Sequence, residues 1–223
     1  MEATTISVLL IVLVSLAVVL PAMRRSPGLG VIAALVVVAA SMWLRGDTLA
    51  SFGLAAPPDF AATLWRALLA GSLLALASQM VIDPVVEKFT GRPHDISAVD
   101  AVRGNLANYL LSLVAVWVLV ALVEEFLFRG FLMGELINLL GRGPAALAAA
   151  LLISSTIFGL AHWYQGASGE WSTGILGVLL GLLFIWSNFN LWLPILAHGI
   201  IDTILLGFIY LDKDQQLKHI FIR

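Results

Sequence analysis

Seven stretches of this chain stay apolar long enough to cross a bilayer, and polar or turn-forming residues gather between them. Residues 5–23 are apolar without interruption and are followed by Arg24 and Arg25. No basic segment precedes them, and Leu20-Pro21-Ala22-Met23 is a poor small-residue cleavage site, so a retained first span is expected rather than a signal peptide. Residues 30–44 make a shorter second span. Residues 47–59, with Gly53 and Pro57-Pro58, read as a connecting loop. The third span is 61–82, with Arg66 close enough to its end to snorkel. Residues 87–103 mix Lys, Arg, Pro and Gly with two Asp and read as a solvated connector. Residues 106–140 form one long helical stretch, expected to break or bend near Gly130 and Gly134. A turn at 141–144 leads into three further spans, 145–164, 173–186 and 191–211, and a short polar tail ends the chain.

This pattern predicts an all-α, polytopic membrane bundle of about seven helices, with a three-span region and connector (1–94), a membrane core (95–211) and a tail (212–223). The fourth stretch is the awkward one. Its 35 residues at 1.5 Å each would run about 52 Å against a hydrocarbon core of roughly 30 Å, so part of it must tilt, bend or leave the bilayer.

Composition agrees. Of 223 residues, 61% are hydrophobic and 12% charged, and mean hydropathy is +1.00. Soluble domains run at roughly 45–50% apolar and about 25% charged, which excludes a water-soluble domain, a disordered chain and a coiled coil. The net charge of -2 offers no basic face, so nucleic acid is not an expected partner. Cysteine is absent, which removes disulfides, thiolate ligands and a cysteine nucleophile. An outside N-terminus puts Arg24, Arg25, Lys88, Arg92, Arg103, Lys213, Lys218 and Arg223 on the inner side, as the positive-inside rule favours. The expected location is the cell membrane, with the bilayer itself as a partner.

Between residues 106 and 211, outside the evident turns, the ionisable side chains other than tyrosine are Glu124, Glu125, Arg129, Glu135, His162, His198 and Asp202. Each costs about 2.5–3.5 kcal/mol at mid-bilayer on insertion scales, so such residues face a bundle interior or a wet cavity and mark function. Glu125 and Arg129 are i,i+4 and can neutralise each other. Glu124 lies about 100° around the helix and points elsewhere, which leaves one paired carboxylate and one free. His198 and Asp202 are again i,i+4, so the carboxylate can orient the imidazole. If the chain folds back between Arg142 and Gly143, Glu124 lies 18.5 positions before that point and His162 19.5 after it, nearly the same height. His198 joins them only if the hairpin tip projects from the bilayer. A carboxylate and a neutral imidazole at one level can hold a water as nucleophile toward a carbonyl, and the His198 region can stabilise the oxyanion that develops. That is peptide hydrolysis within the membrane.

Three motifs carry a family resemblance. Glu124-Glu125-Phe126-Leu127-Phe128-Arg129 matches EExxxR, Phe158-Gly159-Leu160-Ala161-His162 matches FxxxH, and His198-Gly199-Ile200-Ile201-Asp202 matches HxxxN/D. In this order on apolar helices, with Gly130-Phe131 after the first, they resemble the CPBP family of intramembrane glutamate proteases. That family takes in type II CAAX prenyl endopeptidases and bacteriocin-immunity-like (ABI) proteins. The resemblance covers roughly residues 95–211. It implies Glu124 as the base that activates water, His162 as its partner, and His198 with Asp202 as the oxyanion-stabilising pair. Glu125, Arg129 and Phe158 are implied as structural support. It also implies a lipidated or membrane-associated protein substrate and no required thiol or cofactor. Position 202 is Asp where many relatives carry an amide; an ionised Asp cannot donate to an oxyanion, so it is either protonated or orients His198.

Other readings compete. Two His and a Glu make a plausible His2Glu zinc shell, although no helical HExxH is present and the three come from separate spans, so zinc ranks below a metal-free mechanism. Gly166-Ala167-Ser168-Gly169 is a literal GxSG, and with His198 it echoes a rhomboid serine protease using Ser168. A non-catalytic membrane immunity or partner protein would keep the same polar cluster as a fold-locking network. Glu135 reads as a solvated face near the turn. His94 and His219 lie in polar segments with no expected role, and Trp171, Trp186 and Trp192 read as interface anchors.

Overall fold

The computed structural model describes residues 3–214, and no strand occurs among them. The chain runs through α1 (Ala3–Met23), α2 (Pro27–Arg45), α3 (Phe60–Ala77), α4 (Asp83–Thr90), α5 (Leu106–Ala115), α6 (Leu122–Glu125), α7 (Gly134–Leu140), α8 (Pro144–Ala161), α9 (Gly166–Trp186) and α10 (Trp192–Tyr210). Wide π turns at Ser78–Ile82, Val116–Ala121 and Phe126–Met133 fuse α3 to α4 and α5 through α7 into single rods. Seven rods are long and apolar enough to cross a membrane: Thr4–Met23, Pro27–Arg45, Phe60–Thr90, Leu106–Leu140, Pro144–Ala161, Trp163–Trp186 and Trp192–Tyr210. The protein is an all-α, multi-pass membrane bundle. Lys218, His219 and Arg223 of the expected tail lie outside the described residues.

Local chemistry sets the ends of the rods. Pro27 and Pro144 occupy the first helical position, where a missing N–H costs nothing. Asp59 and Asn105 cap α3 and α5 by accepting from the backbone N–H groups of Ala62 and Asn108. Gly91, at φ +68°, closes α4 by donating to the Glu87 carbonyl.

Three boundaries differ from the sequence pattern. Residues 87–90, expected in a connector, finish the third rod, because α4 buries Asp83, Pro84 and Val86, uses Glu87 to accept from the His94 N–H and leaves Lys88 exposed. The fourth rod stays continuous past Gly130 and Gly134, where a break or bend was expected, and passes through a π turn over Phe126–Met133. A side chain at Gly130 would meet the Phe52 carbonyl oxygen at 2.9 Å, so glycine also serves close packing there. The sixth rod starts at Trp163, so Ser168 sits in the first turns of α9 and not in a loop.

Glu135 also departs from expectation. It is 2% exposed, accepts from Ser7 Oγ at 2.7 Å and from Arg45 Nη1 at 2.6 Å, and so ties α1 and α2 to α7. Two charges and a hydroxyl from distant segments meet there, which no local pattern displays.

Rods pair as α1 with α2, α3 with α10, and α8 with α9. Lipid tails are as apolar as leucine, so such pairs gain by close backbone approach through small residues. On α3 the buried stripe is Thr63, Ala67, Gly71 and Ala75, one per turn, and it faces α10. The fourth rod is the axis, with every residue from Glu125 to Met133 buried. Outward apolar side chains such as Trp43, Trp65 and Leu111 face the lipid.

A Cβ at Gly71 would stand 2.7 Å from the Ala197 carbonyl oxygen, which is backbone and cannot yield, whereas one at Gly28 meets nothing within 4 Å. Gly71→Ala is therefore expected to cost about 1–3 kcal/mol by overpacking and to lower the melting temperature in detergent, while Gly28→Ala leaves it unchanged or raised.

Candidate active site

A cavity of about 360 Å³ lies between the third, fourth, sixth and seventh rods, in the half of the bundle where Met23, Thr90, Leu106, Ala161 and Tyr210 end. Arg24, Arg25, Arg92 and Arg103 sit on the connectors of that same end, with Lys88 in the last turn of α4 and Lys213 just past α10. Arg103 is held by Asp214 at 2.8 Å and by Asp100, which push its guanidinium above its ordinary range. Glu124, Phe158, His162, His198 and Asp202 all line the cavity.

Glu124 and His162 meet as the hairpin count requires. Glu124 Oε1 is 3.9 Å from His162 Nε2. His162 Nδ1 lies 2.8 Å from the Phe158 carbonyl oxygen, which can only accept, so Nδ1 carries the proton and a neutral ring turns the Nε2 lone pair toward Glu124. His162 caps the C-terminus of α8 at φ −100°, ψ 18°, and this non-helical conformation points the ring into the cavity. The other carboxylate oxygen, Glu124 Oε2, is buried without a hydrogen-bond partner.

Glu125 points the other way and is wholly buried. Its Oε1 accepts from Arg129 Nη1 at 2.8 Å and faces His198 Nδ1 at 2.8 Å. Arg129 is itself 2% exposed; its Nη2 donates to the Gly177 carbonyl at 3.0 Å, and its guanidinium lies 4.4 Å from the centre of the Phe158 ring. The opposite contacts of Phe158 are the rings of His162 at 4.7 Å and His198 at 6.3 Å.

The His198–Asp202 expectation needs correction. Their closest approach, Nε2 to Oδ2, is 3.5 Å, and the shorter bond of the ring goes to Glu125. Glu125, not Asp202, fixes the tautomer. Both carboxylates flank the ring, since α10 meets the fourth rod at this level. His198 lies six residues from the start of α10, while Glu124 lies sixteen from the end of its rod, so the 141–143 turn stands about 15 Å beyond the start of α10 if the rods run parallel.

Ser168 is fully buried, outside the cavity lining. Its hydroxyl donates to the Arg92 carbonyl and contacts Thr90 Oγ1, so it ties the 91–94 segment to α9 and does not contact His198. Trp171 and Trp186 are exposed, and Arg66 stacks on Trp186 at 5.5 Å. Among the described residues, no three His, Asp or Glu side chains form a group arranged to hold a metal ion.

Sequence reasoning missed a further polar group on the cavity wall: Gln79, Asp83, His94, Tyr164, Gln165, Ser172 and Thr173. His94, expected to have no role, places Nδ1 3.6 Å from Asp83 Oδ1 and Nε2 3.2 Å from Gln165 Oε1. Asp83 was the signal available, an acid directly after an apolar span.

Residues 106–204 match the family model for Rce1-like proteins, type II CAAX prenyl endopeptidases. The chain carries an Rce1-like domain. Glu124, Glu125, Arg129, Phe158, His162, His198 and Asp202 all fall inside the match. No curated protein and no solved structure matches the chain. The domain's family is one of proteases, hydrolases of the membrane, and α1 to α4 lie outside the matched residues while Ser78, Gln79 and Asp83 still contribute to the cavity wall.

Arg129→Lys keeps the charge but cannot reach both Glu125 and Gly177 while lying flat on Phe158. With the partners this deeply buried, the loss is expected to be about 2–4 kcal/mol, read as a lower melting temperature together with lost hydrolysis.

Proposed function

We propose that the protein is an intramembrane endopeptidase that hydrolyses a peptide bond with a water activated by Glu124 and His162. The observation that carries this is the pair of acceptors at the cavity: a half-buried Glu124 carboxylate whose Oε2 has no partner, and a neutral His162 whose Nε2 lone pair looks at Oε1 across 3.9 Å. A water that donates one hydrogen to each leaves its oxygen lone pair free for attack.

In the proposed cycle the water oxygen bonds to the scissile carbonyl carbon and its proton passes to Glu124. The carbonyl π electrons move to oxygen, and the resulting oxyanion takes a hydrogen bond from the His198–Asp202 pair. His198 gives its Nδ1–H to Glu125, so in the proposed cycle the oxyanion's donor is a proton carried on Nε2 or on Asp202 Oδ2, which face each other at 3.5 Å. Collapse breaks the C–N bond, Glu124 returns its proton to the leaving nitrogen, and a carboxylic acid and an amine depart. Glu125, Arg129 and Phe158 position both histidines and do not touch substrate.

The proposed reading is metal-free: a water held by Glu124 and His162, with the His198–Asp202 pair as oxyanion donor, completes the chemistry without a Lewis acid. Apolar walls at Ile96, Val99, Val116, Val120 and Leu205 suit the lipid chain of a processed protein, which makes CAAX-type processing the fitting task. With the cavity at the basic end, the positive-inside rule supports cleavage at the cytoplasmic face of the membrane.

Reconstitution into liposomes with a prenylated peptide and a plain apolar peptide tests this. Glu124→Gln is expected to reduce kcat by about 10²–10⁴ with an unchanged melting temperature, and thorough chelation to leave the wild type active. Ser168→Ala is expected to cleave normally once folded; its loss of activity would favour a serine mechanism, and full activity of Glu124→Gln would return the fold to a non-catalytic immunity or partner role. Asp202→Asn retains a donor and should stay within about tenfold of wild type, whereas Asp202→Leu should lose about 10²–10³ in kcat, as for removal of one oxyanion donor.

A further inference from the structure

Three histidine–carboxylate pairs line the one cavity. Two are Glu124 with His162 and Asp202 with His198; the third is Asp83 with His94, which the proposed hydrolysis does not use. The lining holds four carboxylates, Asp83, Glu124, Asp202 and Asp214, and neither a lysine nor an arginine. Asp214 is answered from outside by Arg103 at 2.8 Å. A ligand entering here meets carboxylates and no lysine or arginine, so a cationic group is drawn in.

The detail at Asp83 narrows the ligand. Its side chain is 7% exposed and Oδ1 has no hydrogen-bond partner. His94 Nε2 faces Gln165 Oε1, which also accepts from Thr173 Oγ1, while Gln165 Nε2 donates to Tyr164. The Gln165 oxygen can only accept, so His94 donates from Nε2 and turns Nδ1 toward Asp83. Nδ1 stands 3.6 Å from Asp83 Oδ1, which has no hydrogen-bond partner. An unpaired buried acceptor is costly, and the donor that answers it beside the ring is a compact group with several N–H bonds. A π turn, Ser78–Ile82, immediately precedes Asp83 and sets it into the cavity, a feature frequent at functional sites.

We propose that Asp83 and His94 receive a primary ammonium group, the side chain of a substrate lysine next to the apolar segment that fills the cavity. This rests on the proteolytic reading for its substrate. Lysine's point-like ammonium suits the narrow gap, whereas arginine's planar fork suits a bidentate carboxylate.

The test separates binding from turnover. Fluorescent N-acetylated lipidated peptides carry one lysine, or norleucine of similar length, at each position in turn around the cleaved bond. They are titrated into the Glu124→Gln protein in phosphatidylcholine nanodiscs, where the peptide is the only added source of primary ammonium. At one position lysine should bind at least about tenfold tighter than norleucine. Adding Asp83→Asn should bring that ratio within about twofold while the norleucine peptide binds as before. If Asp83→Asn loses both peptides, His94→Gln, whose amide can satisfy the intact carboxylate, should shrink the preference several-fold. Equal binding of lysine and norleucine at every position, binding of neither, or a preference untouched by both variants overturns the proposal. Cleavage by wild type without lysine preference sinks the ammonium site and spares the protease reading; lysine-selective binding without cleavage of any peptide does the reverse.

Discussion

A guanidinium shut inside an apolar bundle organises this molecule. Arg129 sits where an unpaired charge would cost several kcal/mol, so the rods around it must deliver acceptors. Glu125 comes from one turn earlier on the same rod, the Gly177 carbonyl from α9, and the Phe158 ring face from α8. Satisfying one charge therefore brings three rods to one point. Because Glu125 Oε1 also meets His198, α10 is recruited by the same carboxylate. The site inherits its geometry from this buried ion pair rather than from its own contacts.

Two adjacent glutamates do opposite work for a geometric reason. Successive helical positions differ by about 100°, so while Glu125 turns inward to Arg129, Glu124 is swung to the cavity with an oxygen left unpaired. Such an acceptor is a debt against stability, and it persists where the surrounding ion pair and ring contacts over-determine the backbone. Asp83 repeats the pattern elsewhere on the cavity wall, after a π turn in a different rod. Two unpaired buried acceptors in one chamber are expensive as structure and useful as chemistry.

The N-terminal hairpin contributes through a separate polar contact. Glu135 gathers Ser7 and Arg45 at the end of the bundle away from the cavity, while α3 packs on α10 by backbone contact at Gly71. The segment outside the Rce1-like match is thereby fastened to the segment inside it, and Gln79 and Asp83 become cavity wall.

Much was legible in the chain alone. Seven apolar runs announce the spans because every backbone polar group in lipid must be satisfied within a helix, and rare acids and bases in those runs single themselves out by cost. The i,i+4 spacing of Glu125 and Arg129 and the equal heights of Glu124 and His162 about the 141–144 turn follow from helical rise and need no coordinates. What required the fold was every relation between side chains far apart in sequence whose meeting depends on how rods rotate and slide against one another. His198 prefers Glu125 to its own i,i+4 neighbour, Glu135 is buried by Ser7 and Arg45, and His94 comes to Asp83 from a connector that looked merely solvated. Periodicity reports which face of a helix is apolar, but not which neighbour that face meets; only packing decides that.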